Sequence, residues 1–158
     1  MTPAINCAKH AGVAFQLHDY LHDATAQSYG LEAAEKLAVA ADQVFKTLVV
    51  TLDGKQLAVG IVPVNRQLGL KHIAKAAGAK KATMALPAEV ERATGYVLGG
   101  VSPLGQKKRL PTFIDDSAQA FLTLYVSAGR RGLEIELSPS DLAMLCQGRF
   151  AALATALS

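Results

Sequence analysis

The segment VFKTLVV, residues Val44–Val50, decides the fold because it predicts a central β-strand. Six of its seven residues favour strands, and the seventh is the charged Lys46. The strand is predicted to continue to Leu52, where Asp53-Gly54 is typical of a two-residue hairpin turn. A return strand over residues 55–62 completes the predicted hairpin.

The predicted hairpin puts a lysine on an apolar face. A two-residue turn would place Lys46 opposite Ile61, on one face with Leu48, Val50, Leu57 and Val59. The other face is also largely apolar, so both are predicted to be covered and Lys46 to be partly removed from water. Either its ammonium meets an anionic or carbonyl group of a ligand, or it reaches water from the strand end.

Capping and turn signals outside the hairpin predict helices interleaved with strands. The predicted helices run from Thr2-Pro3 to Gly12, over Leu31–Leu37, over Leu70–Ala77, from Pro87 to Gly95 and from Ser138 to Gln147. The other predicted strands are Val13–Leu17, Thr112–Ile114, Phe121–Ser127 and Leu133–Leu137, and the segments 18–30, 63–69 and 95–111 are predicted to be loops. Because the strands come in hairpins, we expect an α/β fold of the α+β kind. It is a mixed, mostly antiparallel curled sheet or barrel with helices packed around it.

Length and composition indicate one folded domain over residues 1–158, since 51% of the residues are apolar and no linker or repeat interrupts the chain. No apolar run approaches the roughly 20 residues of a membrane span, so no membrane partner is expected. The first ten residues, MTPAINCAKH, do not predict a secretory signal. Two lone cysteines, Cys7 and Cys146, suit a reducing compartment, so we expect a cytoplasmic protein.

Positive charge is concentrated in the second part of the chain. Residues 1–60 hold four Lys/Arg and six Asp/Glu, whereas residues 61–158 hold twelve and seven. The basic clusters are Lys71/Lys75, Lys80-Lys81, Lys107-Lys108-Arg109 and Arg130-Arg131. A polyanion would be attracted to this part of the chain, although the charge alone favours a solvated surface.

A glycine-rich motif, GGVSPLGQ, begins at Gly99. Gly99 and Gly100 would allow the backbone to approach a ligand and offer N–H groups to an oxyanion or phosphate, or they only permit tight turns. Ser102 is not within a GxSxG elbow, and no nearby histidine suggests a base, so a serine hydrolase is not expected.

Two further polar motifs allow more than one interpretation. SAGRRG, residues 127–132, is predicted to be a tight strand–strand turn whose arginines could contact phosphate. In HDYLHD, residues 18–23, an extended chain would direct His18, Tyr20 and His22 to one side. A metal site would lack a third strong ligand there, so a polar cluster beside a pocket is favoured, with Tyr20 as a hydrogen-bonding group. Walker A, GxGxxG and HExxH motifs are absent, so no cofactor is expected.

Four long segments together carry a family resemblance. EAAEKL, QVFKTLVV, GYVLGGVSPLGQKKRLPTFID and SAGRRGLEIELSPSDL follow in the order and spacing of the bacterial YbaK proteins. The chain resembles these Cys-tRNA(Pro) deacylases, which are related to the editing domain of bacterial prolyl-tRNA synthetase, over nearly its whole length. The resemblance implies an enzyme that clears mischarged Cys-tRNA(Pro). Size alone separates similar amino acids by only about 1–3 kcal/mol per methylene, so a second hydrolytic step is useful.

The resemblance also implies a mechanism and partners. The cysteinyl thiol of the substrate would attack its own ester carbonyl, leaving a thiolactone and free tRNA. A free thiol has a pKa of about 8.5 and needs little activation. The implied partners are aminoacyl-tRNA and, in a transient complex with tRNA, prolyl-tRNA synthetase, with no role for DNA.

Site residues follow from the same resemblance. Lys46 matches an essential lysine that contacts the aminoacyl-adenosine end, Tyr20 matches a pocket tyrosine, and Gly100 and Val101 lie in the loop that holds the ester. The other implied substrate-binding positions are Thr47, Gly99, Ser102, Pro103, Ser127 and Gly129. Charge alone suggests that tRNA contacts Lys107, Lys108, Arg109 and Arg130.

Two alternatives remain open. A sibling family clears Ala-tRNA(Pro), and it differs from this chain in the segment after VSP, where LGQKKRLP favours the cysteine branch. A non-catalytic module that binds aminoacyl-tRNA or prolyl-tRNA synthetase would not need Lys46 together with an intact GGVSP loop.

Overall fold

A computed structural model of the protein describes residues 1–26 and 28–157. The helices among these residues are α1 Pro3–Ala11, α2 Tyr29–Lys36, α3 Leu70–Ala77, α4 Pro87–Thr94 and α5 Pro139–Cys146. The strands are β1 Phe15–Asp19, β2 Phe45–Leu52, β3 Gln56–Pro63, β4 Arg66–Leu68, β5 Ala82–Met84, β6 Thr112–Asp115, β7 Leu124–Arg130, β8 Leu133–Leu137, β9 Gly148–Ala151 and β10 Ala154–Leu157. Short 3₁₀ turns cover Ala41–Gln43 and Asp116–Ala120.

The strands form a mixed, mostly antiparallel arrangement, as the sequence predicts. The largest sheet has the order β5-β2-β3-β6-β9, in which β3–β6 and β6–β9 run parallel. A second sheet, β1-β8-β7, is antiparallel, and β10 pairs with β4. The described strands thus make three separate sheets rather than a closed barrel. An isolated bridge between Val44 and Tyr125 links the start of β2 to β7.

The predicted register of the central hairpin is wrong by one residue. Lys46 pairs with Val62 rather than with Ile61. Asp53 and Gly54 do form a left-handed turn, with φ values of 51° and 66°, but the ladder resumes only at the residue after Lys55. This extra residue moves Leu57 and Val59 to the face opposite Lys46.

Both faces of the hairpin are covered, as predicted. Val49 and Ile61 pack in a core cluster that includes Ile5 of α1 and Leu142 of α5. On the Lys46 face, Val50, Ala58 and Val62 pack in a second cluster with Ile73 and Ala74 of α3. Lys46 therefore lies near the start of a strand whose later residues pack against a core cluster on each face.

The helix signals in the sequence are confirmed, whereas several short strands are not foreseen. The hydroxyls of Thr2 and Ser138 cap α1 and α5, and Gly12, Gly78 and Gly95 end their helices with positive φ. The unforeseen strands are β4, β5, β9 and β10, each of three or four residues. None of the helices in the described residues combines the length and apolar composition that crossing a membrane requires.

Candidate active site

A cavity of about 280 Å³ opens where the start of β2 meets the first turn of α2, the loop after α4 and the strands β7 and β8. It brings together six of the residues singled out in the sequence. These are Tyr20, Lys46, Thr47, Gly99, Val101 and Ser127. Its other lining residues are Ser28, Tyr29, Gly30, Phe45, Leu48, Val64, Leu98 and Glu134.

Lys46 is half-buried at the second position of β2 and lines the cavity. Burial lowers the pKa of its ammonium, because leaving water disfavours the charged form. Among the described residues its ammonium has no ion-pair or hydrogen-bonding partner. Its three N–H donors therefore remain available to a ligand in the cavity.

Thr47 adds a second polar group without a partner. Its Oγ1 is buried and makes no hydrogen bond to a described residue. A buried hydroxyl left without a hydrogen bond costs about 1–3 kcal/mol. Thr47 lies on the face of β2 opposite Lys46, where it pairs with Ile61.

Glu134 is a residue of the cavity that the sequence analysis missed. It lies in β8, the central strand of its sheet, paired with His18 on one side and Ser127 on the other. Only 7% of Glu134 is exposed, and burial raises the pKa of its carboxyl to about 8. In LEIEL the alternation is typical of a strand with one solvated face, so the sequence gives only a weak signal of this burial.

Tyr20 follows β1 and contributes a phenol to the cavity wall. Its backbone N–H donates to the carbonyl of Gly132 at 3.0 Å, which fixes it beside the β7–β8 turn. Burial, and then the negative charges of Glu134 and Glu32, raise the pKa of Tyr20 to about 12. The phenol therefore keeps its proton at neutral pH and can donate a hydrogen bond.

The glycine-rich loop packs closely against the end of β7, whereas its predicted approach to a ligand stays a prediction. A Cβ on Gly100 would lie 2.9 Å from the Arg130 Cα. The Gly100 N–H donates to the Val97 carbonyl at 3.0 Å, so it is already satisfied. The N–H groups of Gly99 and Val101 make no hydrogen bond to another described residue and remain candidates for binding an oxyanion.

Several predicted site residues lie outside the cavity lining. Ser102 is fully buried, and its Oγ accepts from the Leu104 N–H at 3.2 Å, which stabilises the loop. Gly129 also lies outside the lining, and its N–H donates to the Ser127 Oγ at 3.1 Å. Pro103 lines a second cavity instead. Their predicted substrate contacts stay predictions.

The two histidines of HDYLHD turn to different partners. His18 Nε2 lies 2.8 Å from Glu136 Oε1, and His22 Nδ1 lies 2.7 Å from Glu32 Oε1. Burial alone would raise the pKa of Glu32, but hydrogen bonds from the Asp23 N–H, His22 and Lys36 outweigh it and lower the pKa to about 2. No group of three His, Cys, Asp or Glu side chains among the described residues could hold a metal ion.

The predicted tRNA-binding residues lie on the surface. Lys107, Lys108 and Arg109 are exposed and line the second cavity, which also has a volume of about 280 Å³. Arg130 is exposed at the end of β7, against the backbone of the glycine-rich loop. Their contact with tRNA stays a prediction.

Comparison with known proteins assigns the family. The family model described as "Aminoacyl-tRNA editing domain" matches residues 24–145. Over 122 residues, the chain is 42% identical to the "Putative Cys-tRNA(Pro)/Cys-tRNA(Cys) deacylase EbsC" of Enterococcus faecalis, covering 77% of this chain and 74% of the relative. It is 31% identical over 111 residues to the "Uncharacterized protein YwhH" of Bacillus subtilis, covering 70% of each chain.

Solved structures share the fold at low sequence identity. The crystal structure of a "hypothetical protein" superposes with a TM-score of 0.86 at 23% identity, covering 98% of this chain and 100% of the other. That of "a putative trans-editing enzyme for prolyl tRNA synthetase" gives 0.83 at 21% identity, covering 99% of each chain. From its sequence match over most of its length, the chain belongs to the aminoacyl-tRNA editing domain family.

Proposed function

We propose that the protein is a trans-editing aminoacyl-tRNA deacylase that removes cysteine from Cys-tRNA(Pro). One observation carries the proposal. Two residues that line one cavity, Lys46 and Glu134, carry an ammonium and a carboxyl without partners among the described residues. Polar groups are costly to bury unpaired, so this arrangement indicates a ligand that supplies the missing partners.

The end of an aminoacyl-tRNA has the matching groups. Its α-ammonium is a partner for the Glu134 carboxylate, and an approaching positive charge favours ionisation of that carboxyl. Its ester carbonyl, ribose oxygens and nearby phosphate accept hydrogen bonds, which Lys46 can donate. A volume of about 280 Å³ lies near the lower end of ligand pockets, which suits a small aminoacyl group.

In the mechanism we propose, the substrate supplies the nucleophile. The cysteinyl sulfur bonds to the carbonyl carbon of its own ester, the bond from that carbon to the ribose oxygen breaks, and the thiol proton ends on that oxygen. The products are a thiolactone and free tRNA. The lining of the cavity supports this step, because among the described residues it includes no histidine or cysteine that could act as base or nucleophile.

The protein would contribute positioning and charge stabilisation. The Lys46 ammonium and the N–H groups of Gly99 and Val101 are the donors available to an oxyanion that develops on the ester. The Tyr20 phenol, protonated at neutral pH, is a further donor. Ser102 is buried away from the cavity, which is consistent with a reaction that needs no serine nucleophile.

The wider setting of this reaction is part of the same proposal. A single editing domain over residues 1–158 would act in the cytoplasm on tRNA held by prolyl-tRNA synthetase. The exposed side chains of Lys107, Lys108, Arg109 and Arg130 would contact the tRNA backbone.

The direct test compares deacylation of Cys-tRNA(Pro), Ala-tRNA(Pro) and Pro-tRNA(Pro) by the purified protein. We expect rapid release of cysteine and little or no release of proline. Release of alanine alone would assign the chain to the Ala-tRNA(Pro) branch. Binding of aminoacyl-tRNA without release of any amino acid would show a non-catalytic module.

The mechanism predicts a large difference between Cys-tRNA(Pro) and Ser-tRNA(Pro). Replacing the substrate sulfur with oxygen leaves an un-ionised hydroxyl that is a far weaker nucleophile at neutral pH. We expect deacylation of Ser-tRNA(Pro) to be slower by on the order of 100-fold or more. Initial rates and mass spectrometry of the released cysteine product would measure this, and equal rates for the two substrates would rule out attack by the substrate thiol.

A further inference from the structure

Arg131 joins two sides of the cavity mouth from the outside. It is exposed in the turn between β7 and β8. Its Cζ lies 4.4 Å from the centroid of the Tyr29 ring, and its Nη2 donates to the Leu98 carbonyl at 2.8 Å. Tyr29 begins α2 and Leu98 lies in the loop after α4, and both line the cavity. One guanidinium therefore links segments that are distant in sequence.

The parts of this contact fit closely. Gly99 has a φ of +87°, and a Cβ there would lie 2.5 Å from the Arg131 Nε and 2.7 Å from the Tyr29 Cε2. The Tyr29 ring also lies near His22, with the two ring centroids 5.5 Å apart. The next residue, Gly30, lies against Val64, where a Cβ would be only 2.3 Å from Cγ1. The Tyr29 ring therefore has little freedom to move relative to the sheet.

We propose that Arg131 is a positioning residue for the deacylation reaction, and that it clamps the cavity mouth by holding Tyr29 and the Leu98–Gly99 backbone together. The inference rests on the proposed function of the cavity. The clamp fixes the backbone that presents the N–H groups of Gly99 and Val101 to the ester. A guanidinium suits this role because its face stacks on the ring while its edge donates to the carbonyl, which an ammonium cannot do in the same way.

The neighbouring arginine has a different setting. Arg130 is also exposed, but among the described residues its side chain has no hydrogen bond or ring contact. Arg130 is therefore free to meet a phosphate, whereas the guanidinium of Arg131 is already engaged with Tyr29 and Leu98. Two adjacent residues of the same type are thus assigned separate roles.

Kinetics separate a clamp from a phosphate contact. In Arg131→Met and Arg131→Lys we expect kcat for Cys-tRNA(Pro) to fall by about 10-fold or more, because a small misplacement of binding groups is costly to the rate. The KM and its dependence on salt should change little. Arg92→Ala removes an exposed positive charge from α4 and should keep the parent kcat. A phosphate contact would give a different result. In Arg131→Met, kcat would be unchanged, KM would rise, and the salt dependence of KM would weaken by about one phosphate contact, while Arg131→Lys would restore the parent KM. That outcome would show that the clamp is wrong.

A second measurement does not depend on activity. Hydrogen–deuterium exchange of the backbone amides at residues 28–31 and 97–101 should be faster in Arg131→Met than in the parent protein, and unchanged in Arg92→Ala. Equal exchange in Arg131→Met and the parent would overturn the clamp whatever the kinetics show. A parent protein that deacylates none of the tested substrates would count against the proposed function instead, and the exchange result would still decide whether Arg131 holds the mouth.

Discussion

Lys46→Ala is expected to remove most of the deacylation of Cys-tRNA(Pro) while the protein stays folded. The Lys46 ammonium is half-buried in the cavity without a partner among the described residues, so its donors are free for the substrate. Losing a donor to a developing oxyanion typically lowers kcat by about 100- to 1,000-fold. Stability should change little, because no ion pair of the described residues is lost. The measurements are kcat and KM together with the thermal midpoint.

A control in the same hairpin makes this result specific. Lys55 is exposed beside the Asp53-Gly54 turn and lines neither the cavity at Lys46 nor the second cavity beside Lys107. Lys55→Ala should therefore retain the parent kcat. Full activity in Lys46→Ala would contradict the role of Lys46, and equal losses in both variants would indicate a general effect of charge on tRNA binding.

Glu134→Gln is expected to make the protein more stable at high pH and less active. Burial raises the pKa of the Glu134 carboxyl from 4.5 to about 8, so between these values the folded protein holds a proton that the unfolded chain has lost. The stability of the parent should therefore fall as pH rises through this window. Glutamine has no charge to desolvate. Since one pKa unit corresponds to about 1.4 kcal/mol, we expect the variant to gain several kcal/mol over the parent by about pH 9.

Urea unfolding of parent and variant at about pH 5 and about pH 9 measures this effect. Glu136, two residues along β8, is a matched control of opposite sign, because a hydrogen bond from Thr123 and contact with His18 lower the pKa of its carboxyl. The ionised Glu136 carboxylate stabilises the folded protein above the pKa that this group has in the unfolded chain, and this stabilisation is lost as the pH falls through its lower pKa in the folded protein. Glu136→Gln should therefore destabilise the protein at about pH 9. A stability difference for Glu134→Gln that does not change with pH would contradict the buried carboxyl.

The activity of Glu134→Gln tests its place in the site. A hydrogen bond between charged groups is worth about 1.5–3 kcal/mol, so losing the partner of the substrate ammonium should lower kcat/KM by roughly 10- to 100-fold. A variant that is more stable and less active indicates a carboxyl placed for a ligand. Unchanged kcat/KM would show that Glu134 does not contact the substrate.

The sequence predicted a helix or strand well where a few neighbouring residues contain the whole pattern that specifies it. The run around Lys46 and the cap at Ser138 are such patterns, and the structure has the strand and the helix they predict. The hairpin register depended on whether Lys55 joins the ladder, which turn geometry decides and composition does not. The strands β5 and β9 are short, and they are stabilised by pairing with distant segments that local patterning does not reveal.

The candidate site was predictable only in part, because the burial of a side chain depends on segments that are distant in the sequence. Lys46 is unusual in its own strand, so the sequence marks it. Glu134 has ordinary neighbours in sequence, and the residues that share its cavity, such as Tyr29 and Gly99, are distant from it in the chain. Ser102 was singled out by its motif, whereas its hydroxyl is used to hold the backbone of its own loop.

The close packing at Gly99 also has a consequence for how such sequences can diverge. A side chain at this position would overlap both Tyr29 and Arg131, so the space that each occupies depends on the other two. A substitution at one of them is tolerated only if the others leave it room. Across relatives, we expect these three positions to vary as a group, and the shape of the cavity mouth to be inherited through that group rather than through any one residue.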